Sequence, residues 1–500
     1  MLRKIRIFLA LVFFIGATLL FLDFTGTIHA WLGWIAKVQF LPAIFAVNVG
    51  VILFLVALTF IFGRIYCSII CPLGVWQDIF AKFGKWSKKN RYSYSPALNW
   101  WRYTLLVVMI ISIILGIGSI VGALAPYSSF GRIVHSLFSP VWQYGNNIMA
   151  GLAERYESYT FYPTEIWIRS VPVFITAIIT LLALGFLAWN NGRTYCNSIC
   201  PVGTVLGFMS RYSLFRPTIN IAKCNSCGLC ARNCKSACIN SKTHVIDYSR
   251  CVSCMDCIGK CNKNAITYTY KRNAEVLKSQ IEIAQINEKV PDSSRRGFLG
   301  LFAFLGGSSL IDAAEKTVDG GLAVIEEKKI PARKKHITPP GSKSHSNVDL
   351  RCTGCQLCIS VCPNQVLRPS GNLNNFMHPV ASYERGYCRP ECNKCSEVCP
   401  TGAIQKVDLA DKSSIQIGRA VWVKENCIPL TDEVSCGNCA RHCPVGAIQM
   451  ISSVPGDNLA QKIPAVDTER CIGCGACENL CPSRPFSSIY VEGNERHRIV

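Results

Sequence analysis

The stretch CIGCGACENLCP, residues 471–482, sets its cysteines in a C-x2-C-x2-C-x3-C series and closes on proline. Three thiolates so spaced wrap one iron–sulfur cube, and the fourth turns away to ligate a neighbouring cube in two-cluster ferredoxins. The spacing of Cys471, Cys474, Cys477 and Cys481 recurs three times. The copies are Cys224, Cys227, Cys230, Cys234; Cys251, Cys254, Cys257, Cys261; and Cys352, Cys355, Cys358, Cys362. Two variants keep the plan, Cys388, Cys392, Cys395, Cys399 and Cys427, Cys436, Cys439, Cys443. In the second, the wide gap after Cys427 needs a loop that still lets this thiol reach its site. Pro363, Pro400, Pro444 and Pro482 follow the fourth cysteines beyond residue 350. Zinc sites are built instead from separated C-x2-C pairs, often with histidine. Disulfide frameworks belong to small secreted domains. The six groups predict six [4Fe–4S] clusters, and hence electron transfer.

The rest of the chain limits where those electrons go. Its 500 residues are 50% hydrophobic and only 17% charged, too apolar for an ordinary soluble protein. The formal charge of +21 comes without any nucleic-acid motif, and much of it flanks apolar runs. Those runs, at about 5–23, 42–63, 104–125 and 171–189, approach the roughly 20 residues needed to cross a bilayer. Arg3, Lys4 and Arg6 flank the first; Lys82, Lys85, Lys88, Lys89 and Arg91 follow the second; Arg193, Arg211, Arg216 and Lys223 follow the fourth. The other two loops are poorer in net positive charge, so both ends of a four-span unit are expected in the cytoplasm. No histidine falls within a span and no C-x-x-C-H occurs, so haem is not expected, and no flavin motif is found.

Two of the runs end in a repeat: GRIYCSIICPLG at 63–74 and GRTYCNSICPVG at 192–203. It places Cys67 and Cys71, then Cys196 and Cys200, at cytoplasmic helix ends, each pair on one helical face. Together they are enough for a seventh cluster or a dithiol relay; otherwise they are helix-ending turns with packed cysteines. Four spans, the doubled C-x3-C-P motif and a following two-cluster ferredoxin resemble the NapH family over about residues 1–275. The resemblance implies quinol oxidation or electron relay at a membrane.

In that first ferredoxin, CKSACI (234–239) and CNKNAI (261–266) match the C-P-x-x-A-I endings of later groups, with Lys235 and Asn262 in place of proline. Cys238 takes the alanine position and is expected as a buried spare beside the ligand Cys234. Beyond a charged, helical linker at 274–290, Ser294-Arg295-Arg296-Gly297-Phe298-Leu299 opens an apolar run that looks like a twin-arginine export signal. A ferredoxin whose clusters are built in the cytoplasm must leave it folded, which suits that route. Lys328, Lys329, Arg333, Lys334 and Lys335, just after the run, pull against it. Residues 418–448, 387–404 and 470–485 resemble the NapG family, a periplasmic ferredoxin partner of NapH, which implies a fusion of the two.

The expected architecture is an α-helical membrane domain with four spans plus α+β ferredoxin-like [4Fe–4S] domains. It divides into a membrane domain (1–215), a two-cluster ferredoxin (216–275), a linker with an internal signal (276–350) and a four-cluster ferredoxin (351–500). The expected function is a bacterial inner-membrane polyferredoxin. It passes electrons from quinol, or from a cytoplasmic donor, to a periplasmic reductase or small carrier. The first ferredoxin would be cytoplasmic and the second periplasmic. An all-cytoplasmic donor-to-quinone wire and a redox maturation factor for a metalloenzyme remain as alternatives.

Overall fold

The computed structural model describes residues 2–23, 26–86, 92–158, 160–270, 318–319, 323–324, 326–457 and 460–500. The twin-arginine element and the expected helical linker lie outside the described residues. Helices build the N-terminal unit. Leu2–Leu22 and Val171–Asn191, 21 residues each, are long and apolar enough to cross a membrane. Each rises about 30 Å at 1.5 Å per residue. Only 33% and 28% of their most apolar windows are buried, unlike the enclosed core helix of a soluble domain.

The other two expected spans are interrupted. The run at 42–63 divides into Phe40–Phe45 and Val49–Phe62 at Val47, whose φ is 53°, and the Asn48 side chain caps the second piece by accepting from the Val51 amide. The run at 104–125 divides into Asn99–Ile114 and Gly118–Leu124 at Gly116, φ 71°. Hydropathy joins such pieces because it registers apolarity and not the backbone reversal between them. Among the described residues, two helices rather than four therefore have the full length and composition of a span.

Two cysteine-rich modules sit at opposite ends of these helices. The first closes on itself by pairing Phe215–Ile219 with Ile266–Tyr270. It meets the start of Leu2–Leu22, where Arg3 pairs with Asp256 at 2.8 Å, and the start of Asn99–Ile114, where Arg102 reaches the Ser249 carbonyl. It also meets the end of Val49–Phe62, where Ser253 and Tyr268 donate to the Phe62 carbonyl, and the end of Val171–Asn191, where the Arg193 amide donates to the Lys235 carbonyl at 2.9 Å.

The second module meets the opposite ends. Ser128 donates to the Gly354 carbonyl at 3.0 Å, and Arg169, just before Val171–Asn191, donates to the Ile359 carbonyl. Within it, Ile415–Trp422 pairs with Ile489–Ile499, whose first half is buried at Ile489, Val491 and Gly493 while Glu495, Arg496, Arg498 and Ile499 stay exposed. Part of the expected linker also belongs to this module: Ile337 is fully buried, and Arg333 binds Glu478 and the Val491 carbonyl. Lys328 donates to the carbonyls of Glu478, Asn479 and Cys481 at the end of a short helix. These basic residues are thus partly spent on the fold, which weakens them as topology signals.

Candidate metal centres

None of the 29 cysteines is joined in a disulfide. Among the described residues no three Cys, His, Asp or Glu side chains converge closely enough to hold a single metal ion. Zinc sites are built from separated C-x2-C pairs, a spacing these groups do not follow. They fit a larger body, with the fourth cysteine exchanged between neighbouring groups. One cavity is lined by Cys251, Cys254 and Cys257 together with Cys234. Another is lined by Cys388, Cys392 and Cys395 with Cys362, and a third by Cys427, Cys436 and Cys439 with Cys481.

Electrostatic proximity completes the scheme. Cys358 senses Cys352, Cys355 and Cys399, and Cys474 senses Cys471 and Cys443, as Cys477 senses Cys471 and Cys474. Cys230 senses Cys224 and Cys227, and the same exchange leaves Cys261 for that set. In three cavities the fourth cysteine of one group, Cys234, Cys362 or Cys481, thus stands with the first three of its neighbour. The wide gap after Cys427 is filled by the helical turn Ile428–Thr431, which leaves Cys427 buried against its set.

The backbone prepares these thiols as ligands. Amides of Ala265, Gly354, Ile404 and Ala447 donate to the sulfurs of Cys261, Cys352, Cys399 and Cys443 at 3.2–3.4 Å. Such donors favour the charged form of sulfur and tune the potential of any cluster it holds. Burial works against ionisation, pushing the Cys355 and Cys474 thiols up to about 12. Metal arrival must therefore displace the proton.

The repeated motif lies within the protein, against the first module. Both copies turn back into the helical unit, and Cys67, Cys71, Cys196 and Cys200 are only 3–4% exposed. Every pair among these four lies within electrostatic range. The shared residues explain the turn. Gly63 and Gly192 adopt φ of 72° and 68° with ψ of −160° and −112°, backbone that only glycine enters easily.

The following arginine of each copy crosses to the other. Arg64 donates to the Cys196 carbonyl at 3.0 Å, and Arg193 donates to the Cys67 carbonyl. Pro72 and Pro201 open the returning helices Pro72–Trp86 and Pro201–Ser210. A Cβ on Gly74 or Gly203 would stand 2.2 Å from the carbonyl oxygen of Cys67 or Cys196, so only glycine lets the two limbs close. The result is a pair of related hairpins that bring four thiols together. Gln77 donates to the Cys196 sulfur at 3.2 Å in one copy only.

Contacts run outward from this set in both directions. Arg64 also donates to the Ser249 carbonyl of the first module, beside Cys251. Tyr195 donates to the Leu124 carbonyl, and Tyr127 lies within range of Cys355 in the second module. In that module Cys388 and Cys474 adjoin, the Cys388 amide donating to the Cys474 carbonyl at 2.9 Å. Arg64, Arg193, Tyr66, Tyr195 and Gln77 were missed as site residues from sequence, although all but Gln77 are written into the repeat.

Two family models match. A 4Fe-4S binding domain covers residues 44–91 and 171–221, which hold the two copies of the repeat. A 4Fe-4S dicluster domain covers 351–403 and 427–484, the two exchanging pairs of the second module. The methylamine utilization ferredoxin-type protein MauM of Methylophilus methylotrophus is 30% identical over 197 residues, 37% of this chain and 81% of that protein. The ferredoxin-type protein NapG of Escherichia coli (strain K12) is 26% identical over 176 residues, 32% of this chain and 75% of that protein. YccM of the same strain is 22% identical over 240 residues, 47% and 59% respectively. No solved structure matches the chain.

Proposed function

Because the chain belongs to the family of ferredoxin-type 4Fe-4S proteins that includes MauM, we propose that it carries electrons across a membrane through seven cysteine-held centres. Iron–sulfur clusters supply the one-electron sites. One observation carries the reading: four buried thiols stand within a helical unit whose opposite ends hold the two ferredoxin modules. A hydrocarbon core about 30 Å thick separates the two surfaces of a bilayer. A centre held by Cys67, Cys71, Cys196 and Cys200 would divide that distance.

The order follows the contacts. Electrons from a cytoplasmic carrier would enter at the set of Cys224, Cys227, Cys230 and Cys261 and pass to Cys251, Cys254, Cys257 and Cys234. Those from quinol would enter directly at the latter set. They cross the four-thiol set to Cys352, Cys355, Cys358 and Cys399. From there they pass by way of Cys388 and Cys474 to the outermost set at Cys427 and Cys436. The placement of positive charge favours a cytoplasmic first module, and the twin-arginine element suits a periplasmic second module. The interrupted runs complete the four crossings together with their flanking short helices.

The donor is quinol or a cytoplasmic carrier. A cavity of about 440 Å3 between Leu2–Leu22 and Pro72–Trp86 supports quinol, with Ile7, Ala10 and Leu11 on one wall and Asp78, Lys235 and Asp256 on another. Lys235 and Asp256 lie within range of Cys254, so a headgroup bound there would stand beside the second set of the first module. The acceptor is a periplasmic reductase or small electron carrier that docks near Cys436.

The test is transfer across a sealed bilayer. The full chain is reconstituted in liposomes holding an encapsulated electron acceptor, and a membrane-impermeant reductant is added outside. Reduction of the acceptor inside, dependent on the protein, is expected. Protein-dependent reduction only of acceptors on the reductant's own side would make this a one-sided wire.

A further inference from the structure

The segment CKSACI, residues 234–239, places a fifth thiol in a four-thiol site. The equivalent of Cys238 in the parallel endings is alanine, at Ala265, Ala403 and Ala447, each at most 2% exposed. Cys238 is equally buried, at 1%. Its sulfur lies 3.5 Å from that of Cys234 and within hydrogen-bonding reach of Cys251. All five of Cys234, Cys238, Cys251, Cys254 and Cys257 line one cavity. A thiol merely filling an alanine-sized gap has no reason to face the cavity that its neighbours line as ligands.

We infer that Cys238 is a standby ligand, able to replace Cys234 at the iron held by that corner of the site. The exchange is balanced. The iron–sulfur bond to Cys234 breaks as one to Cys238 forms, and the Cys238 proton passes to the departing Cys234 sulfur. Charge and electron count are unchanged, and no outside reactant is needed.

The local backbone suits such an exchange. Where later groups have proline after the fourth cysteine, Lys235 leaves the φ angle unrestricted by a ring. Lys235 also ties the segment down: its ammonium lies 3.4 Å from Asp78 and 2.9 Å from Asp256, and its carbonyl accepts from the Arg193 amide. Ala237, between the two thiols, has φ of 48°, where the parallel endings place Gly402 and Gly446 or Asn264. The strained residue thus separates two sulfurs offered to one point. The site so protected is the one that adjoins the helical unit through Arg64. The ligand assignment does not depend on that unit crossing a membrane.

Iron content and electron paramagnetic resonance of the full chain test the inference. Cys234→Ala should keep the iron and the reduced-cluster signal of the unaltered protein. Cys254→Ala, and Cys234→Ala combined with Cys238→Ala, should each lose one cluster's iron or leave a three-iron remnant. Loss in Cys234→Ala equal to that in the double variant would overturn the assignment. Should Cys234→Ala not accumulate, Cys234→Ser reads the same exchange. An unaltered spectrum means that the Cys238 sulfur holds the iron, and an oxygen-shifted one means that it does not.

Discussion

Both cysteine-rich modules meet the helices through close glycines, Gly192 and Gly207 at the first and Gly118 and Gly131 at the second. Only the first adds a buried ion network; the second has the exposed pair Arg385–Glu165. At the first junction Asp78 takes Arg6 at 3.0 Å, Arg193 at 2.8 Å and Lys235 at 3.4 Å, while Asp256 takes Arg3 and Lys235. At the second, a Cβ on Gly131 would lie 2.3 Å from the Cys355 carbonyl oxygen, and one on Gly118 2.2 Å from His378. A buried ion network fixes orientation while depending on every partner, since one missing charge leaves the others unpaired. Close backbone approach gives short separation and tolerates no added volume. The two modules thus share close backbone approach to one helical unit and differ in the buried ion network that only the first carries. Loss of that network should affect the first alone.

The largest expected effect lies between the junctions. Cys67→Ser combined with Cys196→Ser should leave the six ferredoxin sets loaded and stop electrons passing from the first module to the second. Iron analysis and rapid-mixing spectroscopy, reducing the first module and following the second, would check this. Unimpaired transfer would mean that the four thiols lie off the route between the two modules. Next in size is Asp78→Ala, which leaves Arg6 and Arg193 without a carboxylate and Lys235 with Asp256 alone. It should cost about 3–5 kcal/mol at the first junction alone. Limited proteolysis should then release the first module while the second stays protected; equal release of both would erase the distinction.

How much of this was readable in the sequence differs between the same regions. The ligand groups stood out because a cluster demands thiolates at fixed spacing, and spacing is what a sequence records. Their pairing was not legible, since C-x2-C-x2-C-x3-C is the same whether the fourth cysteine trades with an adjacent or a distant group. The repeat at 63–74 and 192–203 was visible, but its burial was not. The reversal at Gly63 and Gly192 is a backbone event, and hydropathy continues smoothly into it. Lys235 was seen only as a lost proline; its role depends on Asp78, far away in the chain. The breaks at Val47 and Gly116 likewise left no mark on apolarity.

The second junction predicts a smaller, more selective defect. Gly131→Val pushes a branched side chain against the Cys355 backbone and the Phe21 ring, neither of which is a flexible chain end. The cost should be about 1–3 kcal/mol, typical of overpacking. It should appear as weaker docking of the second module in denaturant titration, with the first unaffected. The reciprocal pattern would show that the first junction depends on the second.

The smallest effect should be a pH response confined to the second module. His336 stacks on His345 with ring centres 4.0 Å apart, and His497 pairs with Thr338 at 2.9 Å, where residues 328–350 meet the C-terminal strand. Asp349, His378, Lys335 and Glu495 face this seam. Burial holds His336 and His497 down to about 4 from an ordinary 6.5. With folded values below unfolded ones, the unfolded chain binds more protons as pH falls from about 6.5 towards 4, so stability is lost across that window. The first module has no comparable buried histidines among its described residues: His244 sits at its surface, hydrogen-bonded to Ser226. Hydrogen exchange at pH 7 and pH 5 should therefore loosen the strand Ile489–Ile499 and spare Ile266–Tyr270. Equal loosening in both would place the acid sensitivity in the cluster sites common to the two modules, and remove it as a mark of the second.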